Sequence, residues 1–177
     1  MTTIRRFSAL DLFSFNNINL DVFTENYTIS FYLQYLAKWP GIPATGMTRS
    51  ARTMGYMMGK VEGIGRDWHG HVTAVTVAPE YRRLGLARRL MALLEDATDR
   101  VYSGYFVDLF VRKSNHLAVN MYKRLGYVVY RRVIGYYSSD GDDPEDAYDM
   151  RKAMSRDTHK LSMIPLKHPV RPEDVWN

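Results

Sequence analysis

The chain contains no cysteine, so neither a disulfide nor a thiolate nucleophile can take part in its stability or chemistry. No apolar run approaches the roughly 20 residues that a membrane-spanning helix needs. The start, Met1 to Phe7, also lacks the long apolar stretch of a secretory signal. Internal repeats and low-complexity segments are missing, and no groove-reading nucleic-acid motif surrounds the basic residues. These absences lead to the expectation of a cytoplasmic protein with no membrane association, no direct DNA binding and no metal site.

What is present suits one folded unit. At 177 residues and 46% hydrophobic content the chain can fill a single core. We expect a domain over residues 1–160 and an extended C-terminal tail over 161–177, where Pro165, Pro169 and Pro172 argue against regular structure. The net charge is +5 although five acids crowd residues 140–146, so the rest of the chain is more basic than the total implies and should attract anions. The basic residues occur mainly as pairs, and a solvated face explains all of them except Arg82-Arg83.

Strands and helices alternate along the sequence. Thr2 to Phe7 reads as a strand, Ser8 as the N-cap of a helix reaching Asn16, and the stretch before Trp39-Pro40 as a second helix. Thr53–Val61 and Trp68–Ala78 read as a hairpin, and Leu86, Leu90, Leu93, Leu94 and Ala97 as the apolar stripe of a helix lying on a sheet. Tyr105–Val111 is nearly unbroken apolar sequence, as a covered central strand would be. A helix from Asn115 to Leu125 follows, and Tyr127–Tyr137 with Ala147–Ala153 close the sheet around an acidic loop. Residues 41–50, with two glycines, a proline and no alternation, yield no confident strand, which predicts a sheet poorly joined between its first and third strands.

The turn Arg82-Arg83-Leu84-Gly85-Leu86-Ala87 lies between a strand-like and a helix-like run. Glycine lets the backbone fold closely around a ligand, and the next helix presents unpaired amides and the positive end of its dipole beside two guanidinium groups. That combination suits a pyrophosphate. A solvated basic turn would have the same residues.

The order Arg-x-x-Gly-x-Ala after a strand and before an amphipathic helix resembles the acetyl-coenzyme A loop of the GNAT acetyltransferase superfamily. Asn115, Ala118, Tyr122, Gly126 and Tyr127 repeat that family's downstream pattern. The runs 15–21, 31–36, 68–73, 107–112 and 168–174 resemble, more narrowly, the catalytic subunits of N-terminal acetyltransferase B (NatB) complexes, nearly end to end apart from residues 41–50. The resemblance implies the GNAT α/β fold: a mixed, mostly antiparallel sheet splayed at the cofactor site, with helices on both faces. It implies acetyl-CoA as cofactor and coenzyme A as product. The substrates implied are nascent-peptide N-termini beginning Met-Asp, Met-Glu, Met-Asn or Met-Gln. It also implies a large helical auxiliary subunit, with the ribosome reached through that complex.

On this footing the backbone of Val75 and Val77 is expected to pair with the pantetheine arm, and Arg82, Arg83, Gly85, Leu86 and Ala87 to hold the pyrophosphate. Asn115 caps its helix and touches the cofactor. Tyr122 is the expected proton donor to the departing thiolate, with a structural hydroxyl as the alternative. His71 and Thr73 share one face of a strand and align with the family's peptide site; a structural histidine remains open. Glu25, Tyr27, Tyr136 and Tyr137 correspond to two loops closing over the peptide N-terminus, though each could be merely exposed or packed. An α-amine of pKa about 8 costs only about 1.4 kcal/mol to deprotonate at pH 7, against nearly 5 for a lysine amine, so a weak base, His71 or Glu25, suffices. Apolar residues of the first two helices, Phe13, Phe15, Ile18, Leu20, Phe31 and Leu36, are expected to face the auxiliary subunit. Alternatives are a GNAT acting on lysine or a small amine, and a non-catalytic acyl-CoA-binding subunit.

Overall fold

The computed structural model describes residues 2–20, 24–48, 50–139 and 142–175; Met1, Asp21, Val22, Phe23, Arg49, Asp140, Gly141 and the last two tail residues lie outside the described residues. Strand β1 (Thr3–Arg6) leads through a 3-10 turn at Ala9–Phe13 to the short helix α1 (Asn16–Asn19) and then to α2 (Ile29–Lys38). Strands β2 (Ala44–Met47), β3 (Thr53–Glu62) and β4 (His69–Val77) follow, then helix α3 (Leu86–Asp96), β5 (Phe106–Arg112), helix α4 (His116–Arg124), β6 (Val128–Ser139) and β7 (Asp142–Ala153). The seven strands form one sheet in the order β1-β2-β3-β4-β5-β7-β6, with β4 and β5 parallel and every other pair antiparallel.

Helix placement follows from alternation along the strands. Val72, Val107, Leu109 and Met150 point to the face where Leu86, Leu90 and Leu94 of α3 pack. Tyr56 and Met58 point to the other, beneath Tyr32 and Tyr35 of α2. Ser8 caps the first turn as expected, its backbone amide donating to Asp11 at 2.7 Å, yet the turn closes as 3-10 and does not run on as one helix to Asn16.

Four expectations need correction. Residues 44–47 do form a strand, joined to both β1 and β3. Its glycine, which reads as a breaker, lets α3 pack closely: a Cβ at Gly46 would stand 2.7 Å from Leu86 Cδ1 and the leucine side chain would have to shift. Thr45 donates to the Gly55 carbonyl at 3.1 Å and the Pro43 carbonyl accepts from Phe7 N at 3.0 Å, so main-chain pairing supplies what alternation does not. Second, the acidic stretch belongs to the strand from Asp142 onward, where Asp146 accepts from Gly135 N at 3.0 Å and Arg132 Nε at 2.6 Å. Third, Arg131 and Arg151 are not solvated: Arg131 donates to the fully buried Asp149 at 2.8 Å, and Arg151 is sandwiched between Phe106 and Tyr130. Burial, then repulsion from Asp108, raises the Asp149 carboxyl despite its two arginines. Fourth, Phe15 and Ile18 are core residues and Phe31 and Leu36 pack against them, whereas Phe13 and Leu20 are exposed, as are Leu10, Ile29 and Leu33.

The segment after β7 runs back along β6. Leu166 N donates to the Tyr130 carbonyl at 2.7 Å, Val170 N to Arg132 at 3.0 Å and Ile134 N to Val170 at 2.9 Å. Val175 then packs into a small cluster with Val133, Ala147, Phe110, Tyr136 and Tyr137.

Candidate active site

Strands β4 and β5 are paired only from Gly70–Val72 to Val107–Leu109 and then separate. The register of β4 against β3 slips between Met58 and Gly59, opposite Thr73, so an extra residue there bends β4 away from its parallel neighbour. Beyond the bend Val77 still lies opposite Gly55 of β3, and its carbonyl accepts from Arg82 Nε at 3.1 Å. The wedge leaves backbone groups of β4 without a neighbouring strand on one side, a template for an extended ligand.

A cavity of about 300 Å³ occupies the wedge. It brings together Glu25, Tyr27, His71, Thr73, Val75, Asn115, Tyr122, Tyr136 and Tyr137. Val77, Arg82, Arg83, Gly85, Leu86 and Ala87 do not line it; they run from the last residue of β4 through the turn to the first residues of α3. Gly85 has φ +76 as N-cap of α3, a conformation that suits glycine, while Arg83 and Gly85 are exposed and Arg82 half-buried. The Leu86 side chain is buried in the core, so only its backbone can face an anion there. Asn115 caps α4, its Oδ1 accepting from Ala118 N at 3.1 Å.

Tyr122 lines the cavity from α4, its ring packed edge-on against Tyr127 at 5.9 Å. Burial raises its hydroxyl pKa well above the ordinary tyrosine value, so it stays protonated and acts as a donor. His71 reaches the cavity from β4, and its Nδ1 lies 2.8 Å from Asp108 Oδ1. Burial alone would push the Asp108 carboxyl up; the attraction of His71 and His69 overcomes this and holds it below the usual carboxylate range. An ionised Asp108 accepts the Nδ1 proton, which leaves His71 Nε2 as the basic nitrogen.

The mouth is built by two segments far apart in sequence. Between α1 and α2, Tyr27 donates to the Thr73 carbonyl at 3.3 Å and stacks on Phe31, and the Thr24 and Thr76 hydroxyls meet at 2.8 Å. From β6, Tyr136 stacks on Phe110 with centroids 4.6 Å apart, and Tyr137 packs against it. Arg112 at the end of β5 joins the two: it donates to Glu25 at 2.9 Å and to Glu145 at 3.2 Å, and lies over the Tyr137 ring. Glu25 is thus engaged by a guanidinium, which favours a gatepost over a base. Thr73 donates to the Tyr35 hydroxyl at 2.9 Å, so the hydroxyl proton next in line is that of Tyr35.

Sequence reasoning missed Arg112, Asp108 and His69. All three lie in runs that carried the resemblance, but their partners are on other strands and no local pattern identifies them. Glu62, His69 and His71 also offer possible metal-ligand atoms within 4.8 Å of one another, where no metal site was expected.

Residues 12–127 match the model of the Acetyltransferase (GNAT) family. The chain is 64% identical over 175 residues to N-alpha-acetyltransferase 20 of Dictyostelium discoideum, covering 99% of each. Among solved structures it is similar to Chaetomium thermophilum Naa20 in complex with a bisubstrate analogue, with a TM-score of 0.91 and 45% identity over 99% of this chain and 100% of that one. A chain of the NatB acetyltransferase complex bound to CoA and MES matches with a TM-score of 0.77 and 45% identity, over 86% of this chain and 99% of that one. Among the described residues no helix is long and apolar enough to cross a membrane.

Proposed function

The chain belongs to the GNAT acetyltransferase family, and from that premise we propose that it transfers acetyl from acetyl-CoA to the α-amino group of proteins beginning Met-Asp, Met-Glu, Met-Asn or Met-Gln, as the catalytic subunit of a NatB-type complex. The observation that carries this reading is the cavity itself, in which His71 and Tyr122 lie between splayed strands behind the gateposts Glu25, Tyr27, Tyr136 and Tyr137. A chain end fits such an entrance. A lysine in mid-chain would have to bring its flanking backbone to the gateposts as well.

In this reading the β4 backbone at Val75 and Val77 pairs with the pantetheine arm. Arg82, Arg83, Gly85 and the amides of Leu86 and Ala87 hold the pyrophosphate, and Asn115 contacts the cofactor while capping α4. The α-nitrogen attacks the thioester carbon and forms the C–N bond, giving its proton to His71 Nε2, which Asp108 orients from behind. The C–S bond then breaks, and Tyr122 donates to the departing thiolate so that coenzyme A leaves as the thiol. Alignment of amine and thioester supplies the larger share of the acceleration, because the base has little to overcome.

A helical auxiliary subunit would cover Leu10, Phe13, Leu20, Ile29 and Leu33, apolar side chains that are exposed among the described residues. The reading includes action on nascent chains in the cytoplasm, with the ribosome met through that partner. The non-catalytic alternative drew on the irregular segment 41–53 and loses that support, since β2 pairs with both β1 and β3 despite a register shift at Gly46–Met47.

The test is to incubate the chain and its copurified partner with acetyl-CoA and a Met-Asp peptide carrying an internal lysine, and to locate the acetyl group by fragmentation mass spectrometry. Acetyl on the α-nitrogen is expected; acetyl on lysine alone, or none, overturns the proposal.

A further inference from the structure

The β3–β4 hairpin sets Glu62 opposite His69 and Lys60 opposite His71. His69 is 3% exposed, its ring stacked on Phe106 with centroids 4.5 Å apart. Its Nδ1 lies 2.5 Å from the Asp67 carbonyl, an acceptor only, so Nδ1 carries a proton and Nε2 is the nitrogen turned to the site. That nitrogen faces two carboxylate oxygens, Asp108 Oδ2 at 3.5 Å and Glu62 Oε1 at 4.0 Å. Neither His69 Nε2 nor Glu62 Oε1 has a hydrogen-bond partner, although both atoms are buried. Glu62 Oε2 is taken by Lys60 at 2.5 Å, which fixes the direction of Oε1.

Two carboxylate oxygens and an imidazole nitrogen converge there, an arrangement that attracts a cation, and the spacings say which kind. They exceed the roughly 3.2 Å limit of a hydrogen bond. Two ligands held at about 2.1 Å from one tetrahedral ion stand about 3.4 Å apart, and the ligand atoms of Glu62, His69 and His71, all within 4.8 Å of one another, reach that spacing by small side-chain rotations. We propose that Glu62, His69 and His71 form a divalent transition-metal site, with zinc the best match to two imidazoles and a carboxylate and Asp108 steadying the His71 ring. The Glu62 side chain, 25% exposed, provides the path from solvent. An ion seated there engages His71 and adds positive charge beside the position of the incoming amine, so it inhibits transfer. Metal binding stands independently of the function proposed above; the inhibition rests on that function.

The experiment dialyses the metal-stripped full chain against zinc and measures bound metal by mass spectrometry of the element. A single zinc per chain is expected, with affinity reduced about tenfold or more in Glu62→Gln and in His69→Gln. No bound zinc, or zinc held equally by both variants, overturns the site. Acetylation assayed in parallel separates the second claim: with chelator, Glu62→Gln matches wild type, and added zinc suppresses wild type while sparing the variant. Zinc that binds through these residues yet leaves wild-type turnover unchanged overturns the inhibitory role.

Discussion

Arg112 donates to Glu25 at 2.9 Å across 87 positions of sequence, and its guanidinium lies 4.3 Å from the centre of the Tyr137 ring. One side chain therefore ties both walls of the cavity mouth to the end of β5. A bidentate, stacked arginine is not replaced by lysine, which has neither the fork nor the planar face.

Arg112→Lys should accordingly raise the KM for peptide about tenfold, as two charge-assisted contacts are lost, while leaving the Kd for acetyl-CoA unchanged. Steady-state kinetics and calorimetry on the same preparation check this. An equal loss for both ligands would mean that β5 has shifted and that Arg112 is no latch.

The turn before α3 predicts the reverse pattern. Arg82→Ala removes a guanidinium bonded to the Val77 carbonyl, and Gly85→Asp puts a charged side chain on a backbone at φ +76. Each should weaken acetyl-CoA binding about tenfold or more in a calorimetric titration, from lost phosphate contacts, left-handed strain or like charge. Unchanged affinity in both variants would remove the cofactor from this turn.

Tyr122→Phe should lower kcat about a hundredfold with little change in acetyl-CoA affinity, because the hydroxyl acts on sulfur only as the C–S bond breaks. Its raised pKa adds a second reading: no loss of activity on the alkaline side should trace to ionisation of Tyr122 near the ordinary value of about 10. Wild-type turnover in Tyr122→Phe, measured in single-turnover conditions, would make the residue structural.

Asp108 links the site to stability. Its folded pKa is depressed below the unfolded value of about 3.9, so the stability it contributes is fully present above that value and is lost as pH falls through the lower folded one. The difference in denaturant midpoint between wild type and Asp108→Asn should be large at pH 7 and shrink below about pH 4. A difference that does not change with pH would mean that the carboxylate's charge plays no part.

What could be read in the sequence was local. The turn at Arg82–Gly85 and the cap at Asn115 each lie within a few residues of the helix they begin, and the stripe of α3 repeats at helical spacing. Strand β2 was illegible because two neighbouring strands hold it, and because Gly46, which reads as a breaker, is there for the approach of Leu86. Burial of Phe15 and Ile18 was equally hidden: α1 is a single turn, and its inward side is decided by Tyr32 and Tyr56, with Phe15 packed on each at 5.4 Å. The His71–Asp108 pair spans 37 positions and exists only because β4 and β5 lie parallel before they part.

The central claim is that this cavity selects acidic or amide-bearing second residues on a free N-terminus. A carboxylate or carboxamide there meets the Tyr35 hydroxyl proton, the next donor in line behind Thr73, whereas a lysine leaves that donor unpaired, at a cost of about 1–3 kcal/mol. The most direct measurement is kcat/KM for two peptides differing only in that residue, Met-Asp and Met-Lys, with the chain in complex with its copurified partner. The account predicts a preference for Met-Asp of about tenfold or more, eroded by Tyr35→Phe. Equal kcat/KM for the two peptides would contradict it.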